Sequence, residues 1–429
     1  MSLKSPLGKS LYQIGECMEK NYDYGIIGAG PAGFTTALIA ANHGKKVILF
    51  EKDKIGGVCL NRGCIPTKTI MHSADLYKDA KNAENIGIVA NDLQFDFTRV
   101  MEHKNKVVEA LRNGLTKTLQ AKQVEIINKE AKVAGDNIIE ADGEKYICEK
   151  IIAATGSVPK PLKDYPFDSE FILNSDDLFE LKQKPQNVLI VGAGAEGIEW
   201  ARIFNDIECD VTVVEAASKP LAIADEEISK YVERLFKTRK INLKTSTTIE
   251  KIENKQVTLS NGEILTPDFV LVAIGRNPLK PQLNGKATVI GDACGQLMLA
   301  NFAMYQARAL VSGIHFDNVF VPSVIYGTPE IAWIGANEQD LPLGSYQKSV
   351  FPIRILGKAH CDNEIEGFIK VLTYENKIIG AHIISKEASA LIHQFAIAMQ
   401  NEISTEELKK VCFAHPTYSE GVYESIMSL

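Results

Sequence analysis

Tyr24-Gly25-Ile26-Ile27-Gly28-Ala29-Gly30-Pro31-Ala32-Gly33 decides the fold class. An apolar run passes directly into a G-x-G-x-x-G loop. Phe34 to Asn42 then predicts a helix stopped at Gly44, and Val47-Ile48-Leu49-Phe50 predicts a second strand ending on Glu51. Strand, glycine loop, helix, strand and terminal acid in that order describe a dinucleotide-binding βαβ unit. The first glycine, Gly28, permits the tight turn. Gly30 lets a pyrophosphate approach the backbone, and Gly33 lets the helix pack close to the strand, so that the phosphates meet unpaired helix N–H groups.

The pattern recurs. Asn187-Val188-Leu189-Ile190-Val191 leads into Gly192-Ala193-Gly194-Ala195-Glu196-Gly197, followed by a helix with Glu199, Trp200 and Phe204, and Val211-Thr212-Val213-Val214 ends on Glu215. Two complete units in one chain predict two dinucleotides facing each other. A carboxylate at Glu51 or Glu215 can accept hydrogen bonds from a ribose diol and repels a 2′-phosphate, so Glu215 favours NAD over NADP, although basic residues such as Lys219 follow.

Just downstream of the first loop stands Cys59-Leu60-Asn61-Arg62-Gly63-Cys64-Ile65-Pro66-Thr67-Lys68. Two cysteines this close can form a small, easily reduced disulfide, or they can be a buried and inert pair. Beside a flavin the first alternative becomes a two-electron relay. Cys64 at a helix entrance is expected to have a lowered pKa, and Lys68 lies one helical turn beyond it on the same face.

Composition bounds the remainder. A chain of 429 residues divides into two or three domains, and a formal net charge of −7 with ordinary apolar content predicts a soluble acidic protein without a nucleic-acid-binding face. No apolar stretch is long enough to span a bilayer. The eight cysteines (Cys17, Cys59, Cys64, Cys148, Cys209, Cys294, Cys361, Cys412) form neither a secreted disulfide framework nor paired C-x-x-C zinc sites. A reducing, cytoplasmic location follows as the expectation. Met1 to Lys20 have no secretory h-region and read as a leading helix or an appended segment.

The ordered motifs make the chain similar to the pyridine-nucleotide disulfide oxidoreductases, and within them most similar to the dihydrolipoamide dehydrogenases. The markers are the two glycine loops, the Cys59 to Lys68 run, Ala154-Thr155-Gly156-Ser157, Ala273-Ile274-Gly275-Arg276-Asn277-Pro278, Gly291-Asp292-Ala293, Val321-Pro322-Ser323-Val324 and His415-Pro416-Thr417-Tyr418-Ser419-Glu420. The resemblance implies an α/β fold with two Rossmann-like domains, for FAD and NAD, and a C-terminal α+β dimerisation domain. It implies an extension over residues 1–21, an FAD-binding domain in two segments (22–155 and 279–319), an NAD-binding domain over 156–278 and an interface domain over 320–429. A long helix is predicted through Phe97 to Lys122 and another over Ser389 to Met399.

The resemblance also assigns roles. FAD would be held by Gly28, Gly30, Gly33, Glu51, Lys52, Gly57, Lys68, Thr155, Gly156, Asp292, Met298 and Ala300, with Asp292 on the ribityl chain. NAD would be held by Gly192, Gly194, Gly197, Glu199, Glu215 and Gly275. Cys59 becomes the interchange thiol, Cys64 the thiol nearer the flavin, and Lys68 the partner of Glu199. His415 with Glu420 becomes the acid–base pair, which a thiol attacking a disulfide requires. It would reach the cysteine pair of the neighbouring subunit, making the homodimer a catalytic requirement, and the His415-Pro416 bond is expected to be cis. The other histidines (His43, His72, His103, His315, His360, His382, His393) read as surface or satisfied core residues. Lipoyl domains of 2-oxo acid dehydrogenase or glycine-cleavage complexes are the implied partners, and no metal is implied.

Three features depart from the family. Val58 stands where a threonine usually precedes the first cysteine. Ala195-Glu196 replaces a more apolar pair in the second loop. A carboxylate there competes with the pyrophosphate for the helix N-terminus, favours the cationic NAD⁺ ring, or is simply solvated. Finally, only Leu279 to Ile290 separate Pro278 from Gly291, which is either a genuine shortening or a gap in the numbering. A genuine shortening would remove a hairpin from the flavin-binding domain. Other functions compatible with the motifs are a related disulfide or metal-ion reductase, a flavoprotein redox sensor, and a scaffold without turnover. A mercuric reductase would typically show a C-terminal cysteine pair, absent from Glu424 to Leu429, and a sensor has no need of His415 and Glu420.

Overall fold

The computed structural model describes residues 21–314 and 319–429. The readings of Met1 to Lys20, Cys17 and His315 lie outside these residues.

The first unit runs β1 (Asn21–Ile27), α1 (Pro31–Asn42), β2 (Val47–Phe50), α2 (Gly57–Arg62), α3 (Cys64–Asn82), α4 (Phe97–Ala121), β3 (Glu125–Ile127), β4 (Ala131–Gly135), β5 (Ile138–Ala141) and β6 (Glu144–Ala153). Its sheet has the order β3-β2-β1-β6-β5-β4, with β1 parallel to both β2 and β6. The first helix begins at Pro31, three residues before the predicted Phe34, because proline at the first helical position has no N–H to lose. The long helix forms as read, and the Asp96 carboxylate caps it by accepting from the Arg99 N–H at 3.0 Å.

The second unit runs β7 (Ser157–Pro159), β8 (Ile172–Leu173), β9 (Asn187–Val191), α5 (Ala195–Asp206), β10 (Asp210–Val214), α6 (Glu226–Thr238), β11 (Asn242–Lys244), a meander β12 (Ile249–Glu253), β13 (Gln256–Leu259) and β14 (Ile264–Leu265), then β15 (Phe269–Val272) and β16 (Arg276–Pro278). Its main sheet is wholly parallel in the order β11-β10-β9-β15-β8. Strands buried on both faces read as continuous apolar runs, as Val188 to Val191 and Phe269 to Val272 do. In both units the third loop glycine is a packing requirement. A Cβ on Gly33 would stand 1.8 Å from the Gly28 carbonyl oxygen, and one on Gly197 would stand 1.9 Å from that of Gly192.

β16 pairs with β7, and the chain returns to the first sheet as β17 (Thr288–Val289), parallel to β6, before α7 (Ala300–Ser312) packs Ala303 and Ala307 toward α1. The polypeptide is continuous through this return. The Asn284 N–H donates to the Val133 carbonyl at 3.1 Å and the Lys286 N–H to Asp136 Oδ1 at 3.0 Å, so the short connection lies against β4.

The third unit is an antiparallel sheet, β18-β19-β22-β21-β20, made of β18 (Ser323–Ile325), β19 (Glu330–Gly335), β20 (Gln347–Pro352), β21 (Phe368–Tyr374) and β22 (Lys377–Ser385). With it go α8 (Gly357–Cys361), α9 (Ala388–Gln400), α10 (Thr405–Leu408) and α11 (Ser419–Met427). Ile369, Val371, Ile383, Phe395, Tyr418 and Ile426 share its core. A buried charge cluster joins it to the second unit. Lys370 of β21, 1% exposed, meets Asp225, the N-cap of α6, at 2.8 Å and Glu338 at 2.5 Å. No helix among the described residues is long and apolar enough to cross a membrane.

Candidate active site

Each glycine loop is braced by the acid that ends its second strand. Glu51 Oε2 accepts from the Ala29 N–H at 2.8 Å and Oε1 from the Asp53 N–H at 2.9 Å. Glu215 repeats this with the Ala193 and Ala217 N–H groups, both at 2.7 Å. These carboxylates therefore hold the loops as well as offering their remaining lone pairs to a ribose diol. Neither α1 nor α5 has a side-chain cap at its N-terminus. A Cβ on Gly194 would meet nothing within 4 Å, and one on Gly30 would meet only the Gly57 Cα at 3.9 Å. Uncapped N–H groups facing open space fit a pyrophosphate in both units. Gly57, at φ +59, lies so near that its own Cβ would stand 2.6 Å from the Gly30 Cα.

The other predicted FAD contacts lie around the neck between the units. Asp292, half-buried, accepts from Ser157 Oγ at 2.6 Å, and Arg276 Nε donates to the same hydroxyl oxygen at 2.8 Å. Thr155 Oγ1 donates to the Leu279 carbonyl at 2.5 Å, and Gly156 and Gly275 have φ of +81 and +96. Met298 and Ala300 flank the start of α7 and are half-buried. Lys52 pairs with Glu130 at 3.0 Å on the exposed side of the loop.

Gly63 breaks the chain direction between α2 and α3, placing Cys59 on one helix and Cys64 at the first position of the next. Both thiols are free and half-buried. The Cys59 thiol hydrogen-bonds Cys64, and this contact, opposed by burial and helped by the Lys68 charge, pushes Cys64 down to about 7. The same contact, together with burial, pushes Cys59 far up. The sequence reading credited the helix entrance alone; a neighbouring thiol donor and a lysine are the causes now visible.

Lys68 Nζ reaches Glu199 Oε2 at 2.7 Å, and the other carboxylate oxygen accepts from the Tyr326 N–H at 3.0 Å. The ammonium also sits 4.8 Å from the Tyr326 ring centroid. Burial works against its charge, but the Glu199 carboxylate outweighs burial and holds the pKa above the ordinary lysine value.

In the third unit, His415 Nδ1 lies 2.7 Å from Glu420 Oε1, Glu420 Oε2 accepts from the Thr417 N–H at 2.8 Å, and the His415-Pro416 bond is cis. The histidine bond and the Thr417 N–H hold Glu420 below the ordinary carboxylate value. The His415 side chain is 76% exposed. Among the described residues no hydrogen bond or ion pair joins it to Cys59 or Cys64, so a single protomer keeps the two halves of the chemistry apart.

The sequence profile described as pyridine nucleotide-disulphide oxidoreductase matches residues 22–307, and that of the dimerisation domain of the same proteins matches 321–426. The chain is similar to dihydrolipoyl dehydrogenases of Chlamydia pneumoniae (32% identical over 446 residues, 94% of this chain and 96% of the relative) and Mycoplasma pneumoniae (33% over 443, 94% and 97%). Among solved structures it resembles LpdA from Mycobacterium tuberculosis, with a TM-score of 0.87, 24% identity and coverage of 95% of this chain and 99% of that one. The HOCl-induced flavoprotein disulfide reductase RclA from Escherichia coli gives 0.83, 24%, 95% and 99%. The chain belongs to the pyridine nucleotide-disulphide oxidoreductase family.

As a member of this oxidoreductase family it uses FAD and NAD(H), and its third unit is the family's dimerisation domain. Two residues of this oxidoreductase escaped the sequence reading. Tyr326 stands two residues beyond the Val321 to Val324 marker, directly after β18, and an aromatic at a strand end was its only signal. Arg202, one turn beyond Glu199, is fully buried and donates from Nη1 to the Tyr326 carbonyl at 3.3 Å and the Pro329 carbonyl at 2.8 Å. Glu196 is half-buried and turned inward, where it hydrogen-bonds Ser175 beside Arg276, Glu199 and Asp176, and burial raises its pKa.

Proposed function

We propose that the protein oxidises dihydrolipoyl groups with NAD⁺, passing two electrons through a Cys59–Cys64 disulfide and FAD. The observation that carries this reading is the 2.7 Å contact between His415 Nδ1 and Glu420, which leaves Nε2 to exchange protons with a dithiol substrate. Similarity of 31–33% to dihydrolipoyl dehydrogenases over 94% of the chain supports the same substrate.

The residues divide the work. His415 of the partner subunit takes the proton of one substrate thiol, and the thiolate attacks Cys59 Sγ, breaking the Cys59–Cys64 bond and forming a mixed disulfide. The second substrate thiolate attacks the substrate sulfur of that bond. This closes the cyclic disulfide, the partner subunit's His415 returning the first proton to the departing Cys59 and taking up that of the second substrate thiol, so that Cys59 ends protonated and Cys64 as thiolate. The contact with Cys59 that lowers Cys64 to about 7 supports a product state with the proton on Cys59 and the charge on Cys64. Bound FAD supplies the two-electron path from Cys64 to NAD⁺. Lys68, fixed by Glu199, keeps a positive charge beside the Cys64 thiolate.

Residues 22–155 and 279–319 are assigned to FAD, 156–278 to NAD and 320–429 to dimerisation. Lipoyl domains of 2-oxo acid dehydrogenase or glycine-cleavage complexes are the proposed partners, in the cytoplasm. Anaerobic mixing of the yellow protein with dihydrolipoamide tests the reading. A long-wavelength thiolate-to-flavin band that NAD⁺ discharges is the expected result. A band raised by NADH but not by dihydrolipoamide would assign the relay to another disulfide substrate.

A further inference from the structure

The parallel order β11-β10-β9-β15-β8 fixes how a dinucleotide lies on the second unit. Its pyrophosphate belongs at the uncapped N-terminus of α5, at the end of β9. Glu215, at the end of neighbouring β10, marks the adenosine side. The other half of the ligand must cross to the far side of β9, where β15 and β8 end. The residues leaving those two strands are Gly275 and Arg276 after β15, and Ser175 and Asp176 after β8.

Glu196 points to that side. It occupies the first turn of α5, where an acid facing the pyrophosphate would oppose it, yet its carboxylate accepts from Ser175 and lies near Arg276, Asp176 and Glu199. Ser175 is itself buried. The side chain is thereby withdrawn from the phosphate position and committed to the wall that receives the nicotinamide half, one turn before the glutamate that holds Lys68. Asp176 completes this wall, its Oδ2 held 3.2 Å from Arg62 Nε.

We infer that Glu196 discriminates between the two oxidation states of the nicotinamide ring, strengthening binding of cationic NAD⁺ relative to neutral-ring NADH. A carboxyl in this wall gains an attractive partner from the cation and none from the reduced ring. Arg276 offsets part of its charge, while the neighbouring Asp176 and Glu199 are engaged by Arg62 and Lys68. A site that prefers NAD⁺ releases NADH, which favours the oxidative direction. The inference rests on the α5 loop being the NAD(H) site.

Equilibrium binding to the FAD-loaded, oxidised enzyme tests it, using NAD⁺, ADP-ribose and 1,4,5,6-tetrahydro-NADH, a neutral-ring analogue unable to give hydride. For Glu196→Gln, the preference for NAD⁺ over the tetrahydro analogue is expected to fall about tenfold, equivalent to about 1.4 kcal/mol, with ADP-ribose affinity unchanged. Glu196→Asp keeps the charge and is expected to keep most of the preference. FAD content and the visible spectrum of each variant report on folding. An unchanged ratio in Glu196→Gln overturns the inference, as does an equal shift of all three ligands, which would place Glu196 at the pyrophosphate. Wild-type enzyme that binds none of the three would instead remove the site assignment beneath it.

Discussion

The Cys59 thiol hydrogen-bonds Cys64 across the Gly63 break, and this one contact drives the two sulfurs in opposite directions, Cys64 down to about 7 and Cys59 up. A pair built this way has one thiolate at neutral pH, on the sulfur nearer Lys68. In the reduced enzyme the Cys64 thiolate is expected to be present above about pH 7 and to disappear as pH falls through that value. Cys59→Ala removes the donor and moves the titration upward, because burial then opposes the Lys68 charge without the thiol contact that outweighed it. Thiolate absorbance against pH in both proteins checks this, and an unmoved midpoint would put the cause in the helix alone.

Lys68→Met leaves Glu199, whose side chain is 9% exposed, with the Tyr326 N–H but no counter-charge. Stability is expected to drop by about 2 kcal/mol, because a buried carboxylate loses its partner. The Cys64 titration rises in the same variant, since the lysine charge helps to lower it. Urea melts and the thiolate titration read the two effects separately.

Glu420→Gln keeps the side-chain shape but removes the charge held against His415 Nδ1. Turnover of dihydrolipoamide is expected to fall about 100-fold. Electron transfer from NADH to an artificial acceptor that takes electrons directly from the flavin is expected to persist. Loss of both activities would mean that the substitution disturbs the protomer or the dimer rather than proton transfer.

Lys370 and Asp225 tie the third unit to the second through a fully buried contact. Lys370→Met leaves Asp225 without its ammonium, and a loss of about 3 kcal/mol is expected. The cluster also predicts acid behaviour. Despite burial, Lys348, Lys370 and Tyr346 pull Glu338 down to about 2, and Lys370 holds Asp225 below its ordinary value against its own burial. Carboxylates depressed in the folded state stabilise it fully above the ordinary carboxylate range. That contribution drains away as pH falls from there toward about 2, and a pH series of urea midpoints tests it.

Gly194→Val places a branched side chain in the open space at the N-terminus of α5, where a Cβ meets nothing within 4 Å. Folding and FAD content are expected to be unchanged while NAD⁺ and ADP-ribose affinities fall about 100-fold, the cost of blocking close backbone approach to the pyrophosphate. Equal loss of FAD would show the two glycine loops to be less independent than their separate sheets suggest.

Both nucleotide loops, the cysteine pair with Lys68, and His415 with Glu420 were legible in the sequence because each lies within one short segment. Glycine spacing, helical periodicity and a turn connecting neighbours are local properties, and local backbone geometry decides them. The Lys68–Glu199 pair, 131 positions apart, was implied by the family resemblance and by no local spacing. The tertiary structure alone brought Tyr326 and Arg202 around that pair from two different units. Lys370 meets Asp225 across 145 positions. Glu196 could be placed on a first turn from sequence, but its direction toward Ser175 depends on where β8 ends relative to β9, which only sheet order determines. Packing between elements distant in the chain sets these contacts, and no spacing within a motif records it.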